Sequence, residues 1–359
     1  MEQPRRVRLR LRRARLWPDL ALLAVIALVL AAILGAGGAA LYRQFYSPAA
    51  FVQSYLDLLA AGRAADALRV PGVALDRTAL GTTDIPADAT DALLRQAALA
   101  PLTDVTVEDA GTEGGEALVT ARYTAGGHRG STTFRVRQEG WIGVAPSWRF
   151  AQSPLAVVSL TLRGSEQFSV NAFELDRRQI AAGGAQSPAL TPVPMLVFSP
   201  GLYTLGIDTA IAETKGVSVL ADAPAAVVPV EVQAQPTAAF VKVVQQKVDD
   251  FLGQCATQKV LQPTACPFGL SVHNRIVDEP VWTIVTMPTV TVEPDGADWR
   301  IPPTPATAHI SVSIQSLYDG SVREVDQDVP FRIDGTIVVQ PDGSASISVG
   351  TPDPPGTTS

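Results

Sequence analysis

LALLAVIALVLAAILGAGGAALY, residues 20–42, is a run of 23 residues that contains no charged side chain. As an α-helix rising about 1.5 Å per residue, the run would extend roughly 34 Å, more than the roughly 30 Å of a bilayer's hydrocarbon core. A lone span must be helical, because only a helix satisfies its own backbone groups inside lipid. We therefore predict a transmembrane helix over 19–42, preceded by an Arg-rich cytoplasmic stub over 1–18.

The residues that flank this run predict its orientation. Arg12, Arg13 and Arg15 are the last of seven arginines in the first 18 residues, and positive charge stays on the cytoplasmic side. Trp17 and Tyr42 stand at the two ends, as aromatic residues do at membrane–water interfaces. This predicts a single-pass plasma-membrane protein in contact with the lipid bilayer, with a cytoplasmic N-terminus and an extracytoplasmic body. A cleaved signal peptide is the alternative, although its apolar region normally has only about 7–15 residues.

The composition of the remaining chain is that of a folded, acidic body. Hydrophobic residues make up 47% and charged residues 18% of the chain, which argues against long-range disorder. Without the seven N-terminal arginines, Glu2 and Asp19, there remain 21 basic and 33 acidic residues, a net charge near −12. Such a surface repels phosphate backbones, so nucleic acid is not expected as a partner. The last residues, 351–359, are predicted to form a disordered tail.

Residues 47–152 are predicted to form an α+β domain. Ser47 and Pro48 are a typical N-cap and first helical residue, and Phe51, Val52 and Tyr55 follow at helical spacing. A second short helix is predicted over 88–99. Four strands are then predicted, with glycine-rich turns between them, over 102–108, 117–124, 131–138 and 147–151.

The rest of the chain is predicted to form a β domain over 155–235 and a second α+β domain over 236–350. The β domain reads as a small β-sandwich, with strands over 155–162, 167–173, 195–198, 202–207, 217–220 and 227–232. The last domain begins with an amphipathic helix whose apolar face carries Phe240, Val244, Val248, Phe251 and Cys255. A four-strand antiparallel meander from about 306 to 349 follows, with Asp-Gly turns at 319–320, 334–335 and 342–343. The fold class is thus multidomain α+β, and a duplication of the two α+β domains stays open.

Cys255 and Cys266 are the only two cysteines of the chain. In an oxidising compartment, a disulfide is the favoured interpretation. A redox-active pair would normally have two residues between its cysteines, whereas these enclose ten. A zinc site would need more ligands than His273 can add. We therefore predict a structural disulfide.

The carboxylates Glu324, Asp326 and Asp328 alternate along one predicted strand and so share a face. A calcium-binding face is one interpretation, but acidic residues also keep an exposed strand soluble, and we favour that interpretation. His128 and His309 have no spacing that relates them to each other or to a nucleophile. No catalytic, cofactor-binding or metal-binding residue, and no cofactor, is predicted.

Tyr55 and Asp57 lie on the first predicted helix of the body. They would point into the interior of the first domain if that domain enclosed a cavity. A core tyrosine and a surface aspartate are the favoured interpretation.

Two stretches resemble known folds. Residues 49–152, from AAFVQSYLDLLAAGRAADAL to a sheet that ends in WRF, resemble the ketosteroid-isomerase-like cone fold. FSVNAFELDR and LVFSPGLYTLGID, with the turn Pro200-Gly201-Leu202-Tyr203, resemble a β module of carbohydrate-associated surface proteins. The order of one span and several small modules is similar to the teicoplanin-resistance-associated, TcaA-like membrane proteins. These usually carry a cytoplasmic zinc ribbon, for which this chain has no N-terminal cysteine.

The resemblances imply a role in the bacterial cell envelope and no reaction. We therefore predict a non-enzymatic protein whose exported modules bind or scaffold envelope components, with an envelope protein or the cell wall as partner. The alternative is a cone-fold enzyme or small-ligand-binding domain at the outer face of the membrane. A deep cavity with an inward carboxylate or histidine would favour the alternative.

Overall fold

A computed structural model describes residues 16–75, 85–143, 145–340 and 344–350; within the first helix, it describes the side chains of residues 20–33, 42 and 44–45. The helices are α1 (Leu16–Phe45), α2 (Pro48–Ala60), α3 (Ala64–Ala67), α4 (Arg177–Ile180) and α5 (Ala238–Ala256), with 3₁₀ turns at Gln96–Ala98 and Gly184–Gln186. The strands are β1 (Leu102–Glu113), β2 (Glu116–Ala125), β3 (His128–Ile142), β4 (Ala145–Phe150), β5 (Leu155–Arg163), β6 (Gln167–Val170), β7 (Phe173–Asp176), β8 (Val193–Phe198), β9 (Gly201–Gly206), β10 (Ala212–Glu213), β11 (Val217–Ala221), β12 (Val227–Gln233), β13 (Gln235–Pro236), β14 (Arg275–Ile276), β15 (Val281–Thr286), β16 (Glu293–Asp295), β17 (Asp298–Gln315), β18 (Val322–Val339) and β19 (Ala345–Gly350). The predicted α+β class is confirmed, and the described residues form mostly sheets with few helices.

The first helix, α1, is continuous over 30 residues, and its side chains at 20–33 are exposed. Within the part of the chain that the structure describes, no helix has both the length and the apolar character needed to cross a bilayer. The transmembrane helix over 19–42 therefore stays a prediction. Arg12, Arg13 and Arg15 lie outside the described residues; Trp17 is described only by its backbone in α1, and Tyr42 is exposed.

We refer to residues 47–152, 155–235 and 236–350 as the first, second and third units. In the first unit, Ser47 caps α2 as predicted, since its hydroxyl accepts the N–H of Ala50 at 3.1 Å. One face of α2 is buried, including Val52 and Tyr55. Strands β1 to β4 form an antiparallel sheet in sequence order and contain most of each predicted strand.

The helix predicted over 88–99 is wrong. Only Gln96–Ala98 forms a 3₁₀ turn, and the preceding segment runs beside β8 of the second unit. The N–H of Thr90 donates to the carbonyl of Pro194 at 2.9 Å, and the N–H of Leu196 donates to the carbonyl of Thr90 at 2.8 Å. These bonds give the backbone partners that a helix would otherwise supply.

The second unit consists mainly of two sheets, in the orders β12-β5-β8 and β11-β9-β6-β7. Strand β5 pairs in parallel with β12 and antiparallel with β8. The strand predicted over 167–173 is divided into β6 and β7, because Asn171 and Ala172 adopt positive φ values of 49° and 67°. The turn brings the Asn171 amide to the carbonyls of Ala98 and Leu202, at 2.8 and 2.9 Å.

The third unit begins with α5, whose N-cap is Thr237. The buried face of the helix carries Phe240, Val244, Val248, Leu252 and Cys255. Leu252 thus takes the fully buried place that the sequence pattern gives to Phe251, which is only half-buried.

The four-strand meander predicted from 306 to 349 is wrong in its strand count, because Asp334-Gly335 is not a turn. β17 and β18 are two paired strands of 18 residues, and β19 pairs with β18. Gly335 pairs with Ile301 on one side and Val349 on the other. A Cβ atom there would lie 2.7 Å from the carbonyl oxygen of Ser348, so glycine permits a close approach of strands.

The two other Asp-Gly predictions have different outcomes. At Asp319-Gly320 the chain does turn, with Gly320 at a φ of 71°. The pair at 342–343 lies outside the described residues, as does the predicted tail over 351–359.

The three units pack against each other through shared cores. One buried cluster contains residues of both the second and third units, such as Tyr203 and Val244. A second cluster combines the core of the first unit with Leu155, Phe198 and Leu202 of the second. The body is therefore held together by buried apolar contacts across its unit boundaries.

Candidate functional site

An open cleft of about 830 Å³ lies where the second unit meets the third. Its walls come from the turn between β5 and β6, the end of β7 with the start of α4, residues 208–211, and residues 297–298 and 339–340 of the third unit. Five carboxylates line the cleft: Glu166, Glu174, Asp176, Asp208 and Asp298.

A buried ion pair supports one wall of the cleft. Arg177 is almost fully buried, and its Nε and Nη2 atoms lie 2.7 and 3.1 Å from the two carboxylate oxygens of Glu166. The same guanidinium donates to the carbonyls of Ser187 and Pro188 at 3.2 and 3.1 Å. A bidentate ion pair of this kind fixes the orientation of the carboxylate as well as its position. Glu166 is therefore held in place by the fold.

Two further carboxylates of the cleft have partners within the chain. Asp176 accepts from Arg178, with Nη2 at 2.6 Å and Nε at 3.0 Å from its oxygens. These hydrogen bonds are the main reason why the pKa of Asp176 lies below its ordinary value, against a smaller opposing effect of burial. Asp298 accepts the N–H of Val339 at 3.2 Å. Both carboxylates are thus held at the cleft wall by contacts of their own.

Glu174 and Asp208 differ from these, because neither forms an ion pair with any residue that the structure describes. Both are exposed. Arg178 is the one cationic side chain among the described residues that line the cleft, and Arg177 pairs with Glu166, so the five carboxylates leave the cleft with a net negative charge. Free carboxylates beside fixed ones can accept hydrogen bonds from hydroxyl or ammonium groups, and they repel anions. The arrangement suits a polar ligand that is rich in donors.

The predicted disulfide partners are brought together. The Sγ atoms of Cys255 and Cys266 are 2.04 Å apart, a disulfide distance, so this prediction is confirmed at the level of geometry. Cys255 lies at the end of α5, and Cys266 lies in the loop that follows. That loop packs through Phe268, whose ring is 4.9 Å from Trp282 and 5.2 Å from Phe331. The disulfide therefore joins α5 to a loop that packs on the sheet of the third unit.

The interior of the first unit is filled by aromatic rings. Tyr55 is fully buried, with its ring 5.2 Å from Phe150 and 6.2 Å from Phe134. Its hydroxyl donates to the carbonyl of Ser199 at 3.0 Å, and burial raises its pKa well above the ordinary value. Asp57 is exposed and accepts from Gln53 at 2.7 Å. The structure does not bring Tyr55 and Asp57 into a common site.

His309 lies between two of the three alternating carboxylates. Its Nε2 atom is 2.6 Å from Asp326, and its Nδ1 atom is 2.8 Å from Asp328. The hydrogen bond to Asp328 is the main reason why the pKa of His309 lies above 6.5. Glu324 stands opposite Ser313, away from the imidazole. His128 is exposed.

The exposed His309 cluster does not have the geometry of a metal centre. Within the described ranges, no group of three or more His, Cys, Asp or Glu side chains is arranged to hold a metal ion. His273 is exposed, and Cys255 and Cys266 are at disulfide distance from each other.

The Pro-Gly-x-Tyr turn has a structural explanation in this fold. The hydroxyl of Tyr203 donates to the carbonyl of Phe198 at 3.0 Å, so the side chain folds back over its own turn. A Cβ atom at Gly201 would lie 2.8 Å from the Tyr203 ring and 2.9 Å from the Phe198 carbonyl. Glycine is thus required by the close approach of the ring. Burial raises the pKa of Tyr203, which favours its neutral form.

The sequence pattern shows neither the cleft nor the contacts of His309. The cleft residues come from distant segments, and only the dense charges of ELDRR (174–178) hint at them. Comparisons of the chain with known protein families, with characterised proteins and with solved structures find no match. The resemblances to the cone fold, to the carbohydrate-associated β module and to TcaA-like proteins stay predictions.

Proposed function

We propose that this chain is a single-pass membrane protein of the cell envelope whose extracytoplasmic body binds, without catalysis, a polar envelope component in the cleft between its second and third units. The observation that carries the binding role is the acidic cleft itself. Its fixed and free carboxylates present acceptors to a ligand, whereas a reaction would need a nucleophile and base aligned with each other. The ligand class that fits is hydroxyl-rich or cationic, as in amino sugars of wall polymers or a basic protein segment.

The membrane anchor is supported by the N-terminal segment. Residues 20–42 contain no charge, and the exposed side chains of residues 20–33 are all apolar. Leaving that much apolar surface in water would be costly, and lipid would cover it on all sides. The preceding arginines favour a cytoplasmic N-terminus. The same orientation would put the cysteine pair in an oxidising compartment, where disulfides persist.

The finer fold assignments belong to this proposal as well. A helix packed on a four-strand antiparallel meander supports a ketosteroid-isomerase-like cone for the first unit. The two sheets of the second unit, which contribute to one core cluster, support a small β-sandwich. The pocket-bearing alternative for the first unit gains no support from the rings that fill its core.

Site-specific photo-crosslinking in intact cells tests the proposal. A photoreactive residue replaces Gln179, which lines the cleft, and the control replaces Gln254, an exposed glutamine on α5. We expect an envelope-derived adduct at 179 only. Glu174→Gln combined with Asp208→Asn is expected to weaken that adduct without changing the amount of protein. Equal adducts at both positions, or no change in the double variant, would contradict binding in the cleft.

A further inference from the structure

The end of α1 is joined to the body almost without a linker. Only Tyr46 and Ser47 separate α1 from α2. The N–H of Tyr46 still donates to the carbonyl of Tyr42 at 2.8 Å, and the hydroxyl of Ser47 already caps α2. If α1 spans the bilayer, the first unit must begin at the membrane surface.

Strand β4 runs toward the end of α1 when it is followed backward from Phe150. The Phe150 ring lies 5.0 Å from that of Phe51, in the first turn of α2. Two residues earlier, the indole N–H of Trp148 donates to the carbonyl of Tyr46 at 2.9 Å. The start of β4 is Ala145, which lies about 10 Å further on at about 3.3 Å per residue. The start of β4 and the end of β3 that pairs with it therefore lie beyond Tyr46, the residue that follows α1.

The end of β3 presents large apolar side chains to solvent. Trp141 is 65% exposed and Ile142 is 77% exposed. Trp141 stands opposite Pro146, and Pro146 shares a face of β4 with Trp148 because side chains alternate along a strand. Trp141 is thus on the face of the sheet that contacts the end of α1.

The aromatic residues at the end of α1 add to this surface. Tyr42, Phe45 and Tyr46 are exposed there. Tryptophan and tyrosine are enriched at the level of lipid headgroups, where one part of the ring is apolar and another is polar. With Trp141, these residues would form a belt of aromatic side chains at the level of the lipid headgroups.

The β3–β4 hairpin is also basic, although the body as a whole is acidic. Residues 128–150 contain four arginines and a single acidic residue, Glu139. Arg137 and Arg149 stand opposite each other, Arg149 pairs with Glu139 at 3.0 Å, and Arg135 pairs with Glu113 of β1 at 2.8 Å. Arg137 has no ion pair with any described residue and is exposed. Arginines close to a bilayer surface are attracted by anionic headgroups.

We propose that the end of β3, Trp141 and Ile142, lies in the headgroup region of the bilayer near the end of α1, and that lipid is what it contacts. The inference rests on the proposed anchor. It gives the body a second contact with the membrane, with Ile142 among the upper acyl carbons and Arg137 near the phosphates. A body held at two places keeps a fixed tilt.

The chain contains its own control for this test. The turn between β17 and β18 carries Leu317 and Tyr318, which are 73% and 99% exposed. It is as apolar as the β3–β4 turn, yet it belongs to the third unit and makes no hydrogen bond to the described part of α1. If exposed apolar side chains bound lipid nonspecifically, both turns would contact the bilayer. The proposal requires lipid contact at Trp141 and Ile142 but not at Leu317 and Tyr318.

The experiment uses the full chain in vesicles of phosphatidylcholine and phosphatidylglycerol. Ile142→Cys and, separately, Leu317→Cys are labelled under non-reducing conditions with a fluorophore that responds to polarity, since the two native cysteines are at disulfide distance. Lipids with a spin label near the headgroup are then added. We expect a blue-shifted emission and loss of most fluorescence at 142, and water-like emission without such loss at 317.

Vesicle flotation of the same samples separates the two proposals. If the chain floats but the label at 142 remains water-like or is not quenched by the lipid spin label, the hairpin contact is wrong and the anchor stands. A blue shift at 142 that persists in detergent, without lipid quenching, would indicate a protein contact and also overturn the inference. If the chain does not float, the anchor itself fails and the hairpin contact fails with it.

Discussion

The contact between Tyr55 of the first unit and Ser199 of the second allows a sharp test, because a substitution of Tyr55 should lower the free energy of unfolding whereas one of Ser199 should not. Tyr55→Phe removes only the hydroxyl that donates to the carbonyl of Ser199 at 3.0 Å, and both residues are fully buried. The ring contacts with Phe134 and Phe150 remain. A buried hydrogen bond contributes about 1 kcal/mol net, and an orphaned buried acceptor costs about 1–3 kcal/mol. We expect Tyr55→Phe to lower the free energy of unfolding by about 1–2 kcal/mol.

Ser199→Ala acts on the same joint from the other side. The Ser199 hydroxyl is buried and has no hydrogen-bond partner among the described residues. Alanine keeps the backbone N–H, which donates to Pro154 at 2.8 Å, and keeps the carbonyl that Tyr55 uses. Burying an unpaired hydroxyl costs about 1–3 kcal/mol in proteins, whereas alanine loses little packing. We expect Ser199→Ala to leave stability unchanged or to raise it by up to about 1 kcal/mol.

Urea unfolding of the full chain in detergent, followed by tryptophan fluorescence, measures both effects as shifts of the transition midpoint. Tyr203→Phe is the matched control, since its hydroxyl also donates to a buried carbonyl at 3.0 Å but within the second unit. It should cost about as much as Tyr55→Phe. A neutral Tyr55→Phe would refute the role of this bond in the joint. A Ser199→Ala variant that loses more than about 1 kcal/mol would show that its hydroxyl has a partner.

Three further predictions concern the disulfide, the imidazole cluster and a glycine. Replacing both cysteines, Cys255→Ser with Cys266→Ser, should lower the free energy of unfolding by about 3 kcal/mol, the chain-entropy value for so short a loop. Urea titration without reductant measures the effect, and an unchanged midpoint would contradict a stabilising disulfide. The pKa of His309 is raised in the folded state, so its contribution to stability is fully present below its unfolded pKa near 6.5 and is lost as pH rises through the folded pKa. The midpoint difference between the natural chain and His309→Asn should therefore shrink from pH 5.5 to pH 9, and a difference that grows would sink this reasoning. Gly72→Ala should clearly destabilise the protein, because φ is +84° and the new Cβ would lie 2.4 Å from the carbonyl oxygen of Phe150 at the end of β4. Gly114→Ala, at a φ of +61° with nothing near the new Cβ, should cost only the backbone strain of about 1 kcal/mol. Similar thermal midpoints for the two glycine variants would count against the close contact.

The parts of the fold that the sequence predicts well are those whose partners are near in the chain. The four-strand meander of the first unit follows from alternation and glycine turns, since each strand pairs with the next. The capped start of α2 at Ser47 is equally local. The segment 88–99 fails for the opposite reason: its hydrogen-bond partners, such as Pro194, lie about a hundred residues further on. The local sequence pattern does not show that a distant strand, rather than a helix, supplies the hydrogen-bond partners of this segment.

The Asp334-Gly335 error has another physical cause. An Asp-Gly pair favours a turn because glycine tolerates positive φ. The same missing side chain also permits backbones to approach closely, and Gly335 serves that second purpose between β17 and β19. The dipeptide alone does not distinguish the two uses. Pairing on both sides of β18 decides between them.

The two candidate sites also differ in how far the sequence predicts them. A two-residue turn at Asp319-Gly320 would put His309 opposite Pro330 and on the same face as Asp328, so the sequence pattern comes within two residues of the observed pairing of His309 with Asp328. The spacing of the residues by itself does not relate the histidine to the carboxylates; only the register of β17 and β18 does. The local sequence pattern does not show the cleft, because its walls come from segments between Gly164 and Gln340 that are distant in the chain and meet only in the folded body.

The shared cores connect the two proposals mechanically. The described parts of the three units are packed together: Tyr55 bonds across one boundary, and the core residues of α5 pack with those of the second unit across the other. A tilt that is fixed at the bilayer by the end of β3 is therefore transmitted to the cleft, since packed interiors resist continuous deformation. The cleft would then open in one constant direction relative to the membrane. Such an arrangement is suited to a ligand that is itself fixed in the envelope, because binding a constrained partner loses less orientational freedom when the receptor is already oriented.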